Sequence, residues 1–141
     1  ARQIRRKFFD EYKHLREWHS QAEKGAGSNC EVLSTQLGRK RWLPMEGDVR
    51  WQRFTALLNA PVQGGAADVI KTAIIALQAK LPEDAGLVST VHDELIVEAS
   101  LKNAEAVKKL MEAVMIESAV SLYPTVPFEV EAHICEDWSE K

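Results

Sequence analysis

The chain has 141 residues, of which 45% are hydrophobic and 28% are charged, so it has the composition and length of one globular domain with its own core. Charges interrupt every apolar run before the roughly 20 residues that a membrane span requires, which predicts a soluble protein with no membrane partner. Cys30 and Cys135 are too few for a disulfide scaffold and are not spaced like zinc ligands, so unremarkable thiols are expected. The opening "ARQIRRKFF" has neither Met nor the layout of a secretory signal, which indicates a cut inside a longer chain.

The net charge of −3 is unevenly distributed along the chain. Residues 1–60 hold 12 of the 18 basic side chains and 7 of the 21 acidic ones, which leaves 6 basic and 14 acidic for residues 61–141. An acidic total argues against a tight, autonomous nucleic-acid binder. A basic half beside an acidic half nevertheless suits a protein in which one surface meets phosphate and another holds metal cations.

The first third of the chain predicts a helix and a hairpin. Apolar residues recur at steps of three and four from residue 2 to about residue 24, which is the pattern of one amphipathic helix, and Gly25 and Gly27 supply its stop. Residues 31–36 and 40–43 favour β structure and are separated by Leu-Gly-Arg. A β-hairpin is therefore expected here.

A proline divides the next helical pattern. Residues 48–59 and 61–81 both read as helix, but Pro61 lacks an N–H and its ring disfavours the helical conformation of the residue before it. The helix is therefore expected to break or kink at Pro61. Asn59 and Gln63 would then flank a discontinuity at which side-chain amides can point at a ligand.

Small residues follow the proline. Gly64 and Gly65 leave one side of the second helix almost bare, which permits close approach of another backbone or of a ligand. Asp68 carries a carboxylate one turn after Gln63 and could be taken for a second metal ligand. A carboxylate in the first turn of a new helix, where it complements the helix dipole, is the preferred interpretation of Asp68.

The stretch "VSTVHDELIVEA" places His92, Asp93 and Glu94 between two β-forming runs. One unbroken strand would put Asp93 on an apolar face, which is costly for a carboxylate. Two strands, residues 87–91 and 95–99, with the triplet at the tip of a hairpin remove that conflict, because His and Asp tolerate left-handed turn conformations. Such a tip is either a solvated turn or a presentation of carboxylate ligands for Mg²⁺.

The remaining pattern predicts a long helix over residues 102–122 and a last strand over residues 127–134, where apolar and polar residues alternate. The fold class is therefore expected to be α+β, with a small antiparallel sheet packed against long helices. One domain is expected over residues 1–141, with no second domain.

Several motifs in one order resemble the polymerase domain of family A DNA polymerases, the bacterial DNA polymerase I type. They are "TQLGRKRWLP", "NAPVQGGAADVIK", "VHDELIVEA" and "PFEVEAHICEDW", and the resemblance extends over practically the whole chain. It implies that residues 1–141 are the end of the fingers and the C-terminal half of the palm of such a domain, with the hairpin belonging to the palm.

The resemblance implies a role for five residues. Asp93 matches the palm-hairpin aspartate that binds the catalytic Mg²⁺ ions, and Glu94 matches the acidic neighbour that assists that metal site. His92 matches a residue that touches the primer near its 3′ end. Asn59 and Gln63 match amides on the minor-groove side of the primer and template, where donors can test base-pair geometry without reading sequence.

The basic residues match less completely. Many family members have an arginine four residues before the Asn, whereas this chain has Thr55, with Arg53 as the nearest arginine; Arg53 is retained as a candidate DNA contact. Arg39 and Arg41, in "GRKRW", are candidates for phosphate contact, with a basic surface turn as an equal alternative.

The implied activity is template-directed addition of deoxynucleotides to a primer by two-metal phosphoryl transfer. In the family the second aspartate and the nucleotide-gripping helix come from earlier segments, so this fragment alone is expected to be inactive. Its partners would be primer-template DNA, deoxynucleoside triphosphates and the remainder of the polymerase, in the cytoplasm with the nucleoid if the source is bacterial. The alternatives are a non-catalytic or split-gene fragment that binds DNA or a partner chain, and a His-Asp metal phosphohydrolase.

Overall fold

A computed structural model describes residues 2–28, 32–43, 46 and 49–137 of the chain. The polypeptide divides into two compact units, Ala1–Gly65 and Ala66–Lys141. The elements assigned in the described residues are α1 (Arg2–Glu11), α2 (Lys13–Ala26), β1 (Val32–Ser34), β2 (Lys40–Trp42), α3 (Arg50–Lys80), β3 (Ala85–Val91), β4 (Glu94–Ala99) and α4 (Ala104–Leu122).

The first unit begins with two helices where one was predicted. Tyr12 separates α1 from α2 with φ −98° and ψ 73°, and this ψ lies outside the helical range. Two contacts are made near the break: the Tyr12 ring packs on Phe8 with 4.9 Å between ring centroids, and Asp10 pairs with Arg16 at 3.0 Å. The predicted stop is confirmed, since α2 ends at Ala26.

The predicted hairpin of the first unit is confirmed, with shorter strands. β1 and β2 pair antiparallel, with Ser34 opposite Lys40, and residue 31 lies outside the described part of the chain. The turn contains Gly38 at φ +80°, a left-handed conformation that glycine adopts without a Cβ clash. Thr35 closes the turn, because its N–H donates to the Arg39 carbonyl at 2.9 Å and its Oγ1 accepts from the Arg39 N–H at 3.2 Å.

Of the predicted break or kink at Pro61, the break is wrong and the kink stays a prediction. α3 runs from Arg50 to Lys80 with Pro61 inside it, and predicted residue 48 lies outside the described chain. A proline in a helix removes one hydrogen bond from the ladder. The ladder of a 31-residue helix continues on both sides of that loss. Asp68 therefore lies in the middle of α3, and the prediction that it occupies a first turn is also wrong. Its side chain is buried, 4% exposed.

The second unit is built around a hairpin and two helices. β3 and β4 pair antiparallel from Ala85 opposite Ala99 to Val91 opposite Glu94, with a register shift between Leu87 and Ser89. The described core of this unit consists of Ile70, Ala73 and Leu77 from α3, Leu95 from β4 and Val114 from α4. The predicted long helix is confirmed as α4, and its Val107 and Val114 are buried.

The predicted last strand is wrong. Residues 127–134 form no strand in the described structure, although exposure alternates along them as the sequence suggested. A strand needs a neighbouring backbone to complete its hydrogen-bond ladder. In this segment the Ala132 N–H donates instead to the Glu112 carboxylate at 3.0 Å.

The fold class is α+β, as predicted, but the described strands form two separate two-stranded sheets rather than one small sheet. Among the described helices, none is both long enough and apolar enough to cross a membrane. Cys135 is an exposed free thiol, and Cys30 lies outside the described residues.

Candidate metal site and nucleic-acid interface

The hairpin of the second unit turns at His92 and Asp93. Val91 pairs with Glu94, so the turn contains two residues, and Glu94 is the first residue of β4 rather than part of the tip. His92 has φ +56°, and it is the one non-glycine residue with positive φ among those described. Positive φ at the first turn residue alone is the pattern of a type II′ turn, which usually has glycine there.

The turn of this hairpin is exposed, whereas the strand that follows it enters the core. His92 and Asp93 are exposed and Glu94 is half-buried, whereas Leu95 is 9% exposed within the core of the unit. Asp93 therefore lies on a short turn with packed apolar side chains directly behind it, and Glu94 follows as the first residue of β4. A tight turn on a packed hairpin offers little freedom to the groups that it carries.

Asp93 and Glu94 supply the oxygen donors that Mg²⁺ prefers. Mg²⁺ usually takes one or two protein carboxylates, retains several waters and completes its shell with substrate phosphate. Within the described residues, no three or more His, Cys, Asp or Glu side chains come together as a metal-binding cluster. Two adjacent carboxylates are too few for a closed metal cage.

The amides singled out in the sequence lie on α3 in the first unit. Asn59 and Gln63 are both exposed and stand one helical turn apart. They line an open groove of about 400 Å³ to which Arg41 of β2 also contributes. Three predicted DNA-contacting residues, Asn59, Gln63 and Arg41, are thus brought to one surface.

Sequence reasoning missed Trp51 in this groove. The indole is 72% exposed and lines the groove two turns before Asn59. Trp51, Thr55, Asn59 and Gln63 recur at four-residue steps, so helical spacing alone could have identified the tryptophan. The Thr55 hydroxyl donates back to the helix carbonyls of Trp51 at 3.2 Å and Gln52 at 3.0 Å.

Arg53 is buried and bonds to backbone carbonyls of the first unit. It is 4% exposed, its Nε donates to the Ala26 carbonyl at 3.1 Å, and its guanidinium also donates to the Ser28 carbonyl at 2.7 Å. These bonds satisfy carbonyls at the C-terminal end of α2, where helix acceptors have no partner in the helix. The DNA contact predicted for Arg53 remains a prediction without a geometric argument.

Arg39 lies in the β1–β2 turn and is half-buried. A Cβ placed on Gly64 would lie 3.6 Å from the Arg39 Cδ and 2.5 Å from the Thr35 Cγ2, so the turn packs against the bare side of α3. The close approach predicted at Gly64 is therefore made by the chain itself. The phosphate contact predicted for Arg39 is untested and stays a prediction.

A polar cluster in the second unit was also missed. Both Asp84 carboxylate oxygens accept from the Asn103 amide at 2.9 Å, and the Ser100 hydroxyl donates to one of them. The hydrogen bonds from Ser100, first, and from Asn103 lower the pKa of Asp84 below its ordinary value. The cluster ties the start of β3 to the segment between β4 and α4.

Comparisons with known proteins agree on one family. The sequence model of DNA polymerase family A matches residues 1–140. The chain is 35% identical to DNA polymerase I of Aquifex aeolicus, with 99% of this chain and 24% of that protein covered. It is 38% identical to the thermostable DNA polymerase I of Thermus aquaticus, with 94% of this chain and 16% of that protein covered.

A solved structure gives the same result. The POL domain of Pol1 from M. smegmatis, in complex with DNA primer-template and dNTP, is 34% identical and superposes with a TM-score of 0.60. That likeness covers 79% of this chain and 21% of the other. The chain thus spans about a quarter or less of the relatives it matches. Because the family model matches residues 1–140, the chain belongs to DNA polymerase family A.

Proposed function

We propose that residues 1–141 are the end of the fingers and the C-terminal half of the palm of a DNA polymerase that adds deoxynucleotides to a primer 3′ end. The observation that carries the proposal is the exposed Asp93 at the tip of a core-anchored hairpin, with Glu94 beside it. Family membership supports it, and so does the related structure that contains DNA primer-template and dNTP.

In this proposal Asp93 and Glu94 hold Mg²⁺. The bound ions would supply two-metal phosphoryl transfer, in which they activate the attacking oxygen and stabilise the leaving oxygen. The protein contributes a carboxylate whose backbone is fixed by a tight turn, so little reorganisation is needed when substrate phosphate arrives. His92, next to Asp93 in the same turn, is placed to contact the primer end that reacts.

Asn59 and Gln63 act on the duplex. Their amide groups can donate to the acceptors that every base pair presents in the minor groove, so they report pair geometry rather than base identity. Arg41, in the same groove, adds a cation that suits a phosphate of either strand. We include Arg39 as a second phosphate contact of the same turn.

Residues 1–141 would supply only part of the site that this reaction needs. One carboxylate pair cannot hold two ions about 3.5–4 Å apart together with substrate, so further ligands and a nucleotide grip must come from the remainder of the polymerase. The 141-residue chain alone is therefore expected not to extend a primer. Template-dependent elongation by this chain with Mg²⁺ and four deoxynucleotides would contradict that part of the proposal.

The metal site can be tested on this chain without catalysis. Mn²⁺ replaces Mg²⁺ at oxygen sites and broadens the amide NMR signals of nearby residues. In the wild-type chain, substoichiometric Mn²⁺ should broaden signals around Asp93, and Asp93→Asn should abolish that effect. Glu98→Gln, an exposed carboxylate change on the same hairpin, is the matched control and should leave the broadening unchanged. Equal broadening in Asp93→Asn and wild type would sink the metal assignment.

The DNA interface has its own test. Fluorescence anisotropy with a labelled primer-template duplex should show about tenfold weaker binding for the double variant Asn59→Ala with Gln63→Ala, since two direct donors are lost. Gln21→Ala with Gln78→Ala is the control, because both glutamines are exposed, one on α2 and one on α3, and neither lines the groove. Equal losses in the two double variants would contradict the interface. The His-Asp phosphohydrolase alternative has no support from the relatives, which are polymerases.

A further inference from the structure

The first unit contains a second pocket, which has no lining residue in common with the Asn59 groove. It has a volume of about 350 Å³ and is lined by residues of α1, α2 and α3. Four arginines, two carboxylates and three flat rings contribute to its wall. We call it the arginine pocket.

The cations of the arginine pocket are concentrated on α1. Arg2, Arg5 and Arg6 follow the spacing i, i+3 and i+4, which places them on one side of the helix, and Arg16 joins them from α2. Each guanidinium carries a permanent charge and a planar array of N–H donors that matches phosphate oxygens. Clustered like charges repel one another, so such an arrangement gains stability when an anion enters it.

The carboxylates of the pocket neutralise only part of this charge. Asp10 pairs with Arg16 at 3.0 Å and with Arg6 at 3.8 Å, and Glu23 is the second acid of the wall. Within the described residues, neither Arg2 nor Arg5 has an ion-pair partner. The four arginines and two carboxylates of the wall therefore leave the arginine pocket with an excess of positive charge.

The rest of the wall is aromatic. The Arg5 guanidinium lies over the Phe9 ring, 5.4 Å from its centroid, and the His19 ring meets Phe9 edge-on at 5.0 Å. Phe54 of α3 continues the series, 6.0 Å from His19. Phe9, His19 and Phe54 are all half-buried, so parts of their surfaces face the pocket.

We infer that the arginine pocket binds a segment of single-stranded DNA, with phosphate on the arginines and an unpaired base against the Arg5–Phe9 pair and Phe54. Proteins that bind single strands without sequence preference combine cations with ring and guanidinium planes for stacking. An unpaired strand offers free base faces, whereas the bases of a duplex are already stacked on each other. The pocket volume lies in the range of small-ligand sites and suits one nucleotide of such a strand.

The choice of DNA over other polyanions rests on membership of a DNA polymerase family, but the site itself does not depend on the proposed metal or minor-groove residues. The arginine pocket and the Asn59 groove have no lining residue in common, so each can be varied separately. Loss of one binding activity therefore leaves the other measurable.

The charge component is tested by fluorescence anisotropy of the 141-residue chain with a labelled oligothymidylate of about 12 nucleotides at low salt. The double variant Arg2→Gln with Arg5→Gln should bind about tenfold more weakly than wild type. Lys7→Gln with Lys13→Gln removes the same charge from exposed positions of α1 and α2 outside the pocket, and should lose less than threefold. Equal losses in the two variants, or no binding by wild type, would overturn the inference.

The stacking component is tested by comparing oligothymidylate with an abasic strand of equal length. Wild type should bind the abasic strand at least fivefold more weakly, and Phe9→Leu should remove most of that preference, because leucine keeps apolar bulk without a ring. A poly-glutamate peptide of equal charge and free thymidine triphosphate serve as competitors. If either displaces the strand at equal concentration, the pocket binds anions in general or free nucleotides rather than a strand, and the inference fails. Circular dichroism of each variant checks that the helices remain formed.

Discussion

Asp93 and Leu95 lie two positions apart on one hairpin and have opposite environments. Asp93 is exposed in the turn, while Leu95 is 9% exposed and packs with Leu77 and Val114 in the core of the second unit. Leu77 and Val114 come from α3 and α4, so both helices bear on the strand that begins next to the turn. The position of the carboxylate is therefore set by apolar packing directly behind it.

Leu95→Ala should destabilise the chain and weaken metal binding together. Removing a buried leucine side chain costs about 2–4 kcal/mol, because transfer free energy is lost and a cavity remains. Urea unfolding measures the stability, and Mn²⁺ broadening measures the metal site. Val88→Ala, at a 54% exposed position of β3, should cost less than about 0.5 kcal/mol and leave the metal site intact. Full metal affinity in folded Leu95→Ala would contradict the anchoring role.

His92 should show a conflict between stability and DNA binding. Its φ of +56° suits glycine, and a non-glycine residue pays about 1 kcal/mol or more for a left-handed conformation. His92→Gly should therefore be about 1 kcal/mol more stable than His92→Ala in urea unfolding. Both variants should lose primer-template affinity to the same extent if the imidazole contacts the primer. Affinity that follows stability instead of the presence of the imidazole would remove His92 from the interface.

Gly64 should tolerate no Cβ while Thr35 faces it. An alanine Cβ would lie 2.5 Å from the Thr35 Cγ2, and the β-branched threonine has little freedom to move away. Gly64→Ala should therefore cost about 1–3 kcal/mol by overpacking, despite the better helix propensity of alanine. Thr35→Ser deletes Cγ2 but keeps the hydroxyl that accepts from the Arg39 N–H.

The double variant, Gly64→Ala with Thr35→Ser, is the control for this prediction. It should recover most of the lost stability, because the clash is gone and the turn hydrogen bond remains. Thermal unfolding of the two single variants and the double variant measures the coupling. Simple additivity of the two single changes would show that the contact is not responsible.

Arg53→Met should act on stability rather than on DNA. The change leaves the Ala26 and Ser28 carbonyls without their charged donor, which costs about 2–4 kcal/mol. Primer-template affinity, measured at a temperature at which the variant is folded, should stay within about twofold of wild type. Arg50→Met changes an exposed arginine of the same helix and should be nearly neutral in stability. A large affinity loss in folded Arg53→Met would restore Arg53 as a DNA contact.

Local sequence signals predicted the hairpin at Asp93 well. A costly buried carboxylate and the turn tolerance of His and Asp are properties of neighbouring residues, so alternation along the strand was sufficient to place the turn. The signal at Pro61 was equally local, but its break was not realised, because one lost hydrogen bond does not end a long helix. The break at Tyr12 was missed because the apolar spacing of three and four residues continues across it.

Features that depend on distant partners were not available from the sequence. The segment at residues 127–134 alternates like a strand, but no pattern within it states whether another backbone will pair with it. The Asp84 cluster joins residues 84, 100 and 103, whose proximity follows from the pairing of β3 with β4. Such contacts are consequences of the fold.

The Asp84 cluster should make stability depend on pH in the acid range. The pKa of Asp84 is lower in the folded chain than its ordinary value, because Ser100 and Asn103 donate hydrogen bonds to its ionised form. The folded state therefore binds the proton less readily than the unfolded state, and the stabilisation is present above the ordinary carboxyl range and lost as the pH falls through the lower, folded value. Urea unfolding from about pH 7 to about pH 2 should show Asp84→Asn less stable than wild type near neutrality, with the difference shrinking as the carboxyl becomes protonated in both the folded and the unfolded state. Glu98→Gln, an exposed change on β4, should show no such pH-dependent difference. A deficit of Asp84→Asn that stays constant across this range would mean that the ionised carboxylate is not what Ser100 and Asn103 stabilise.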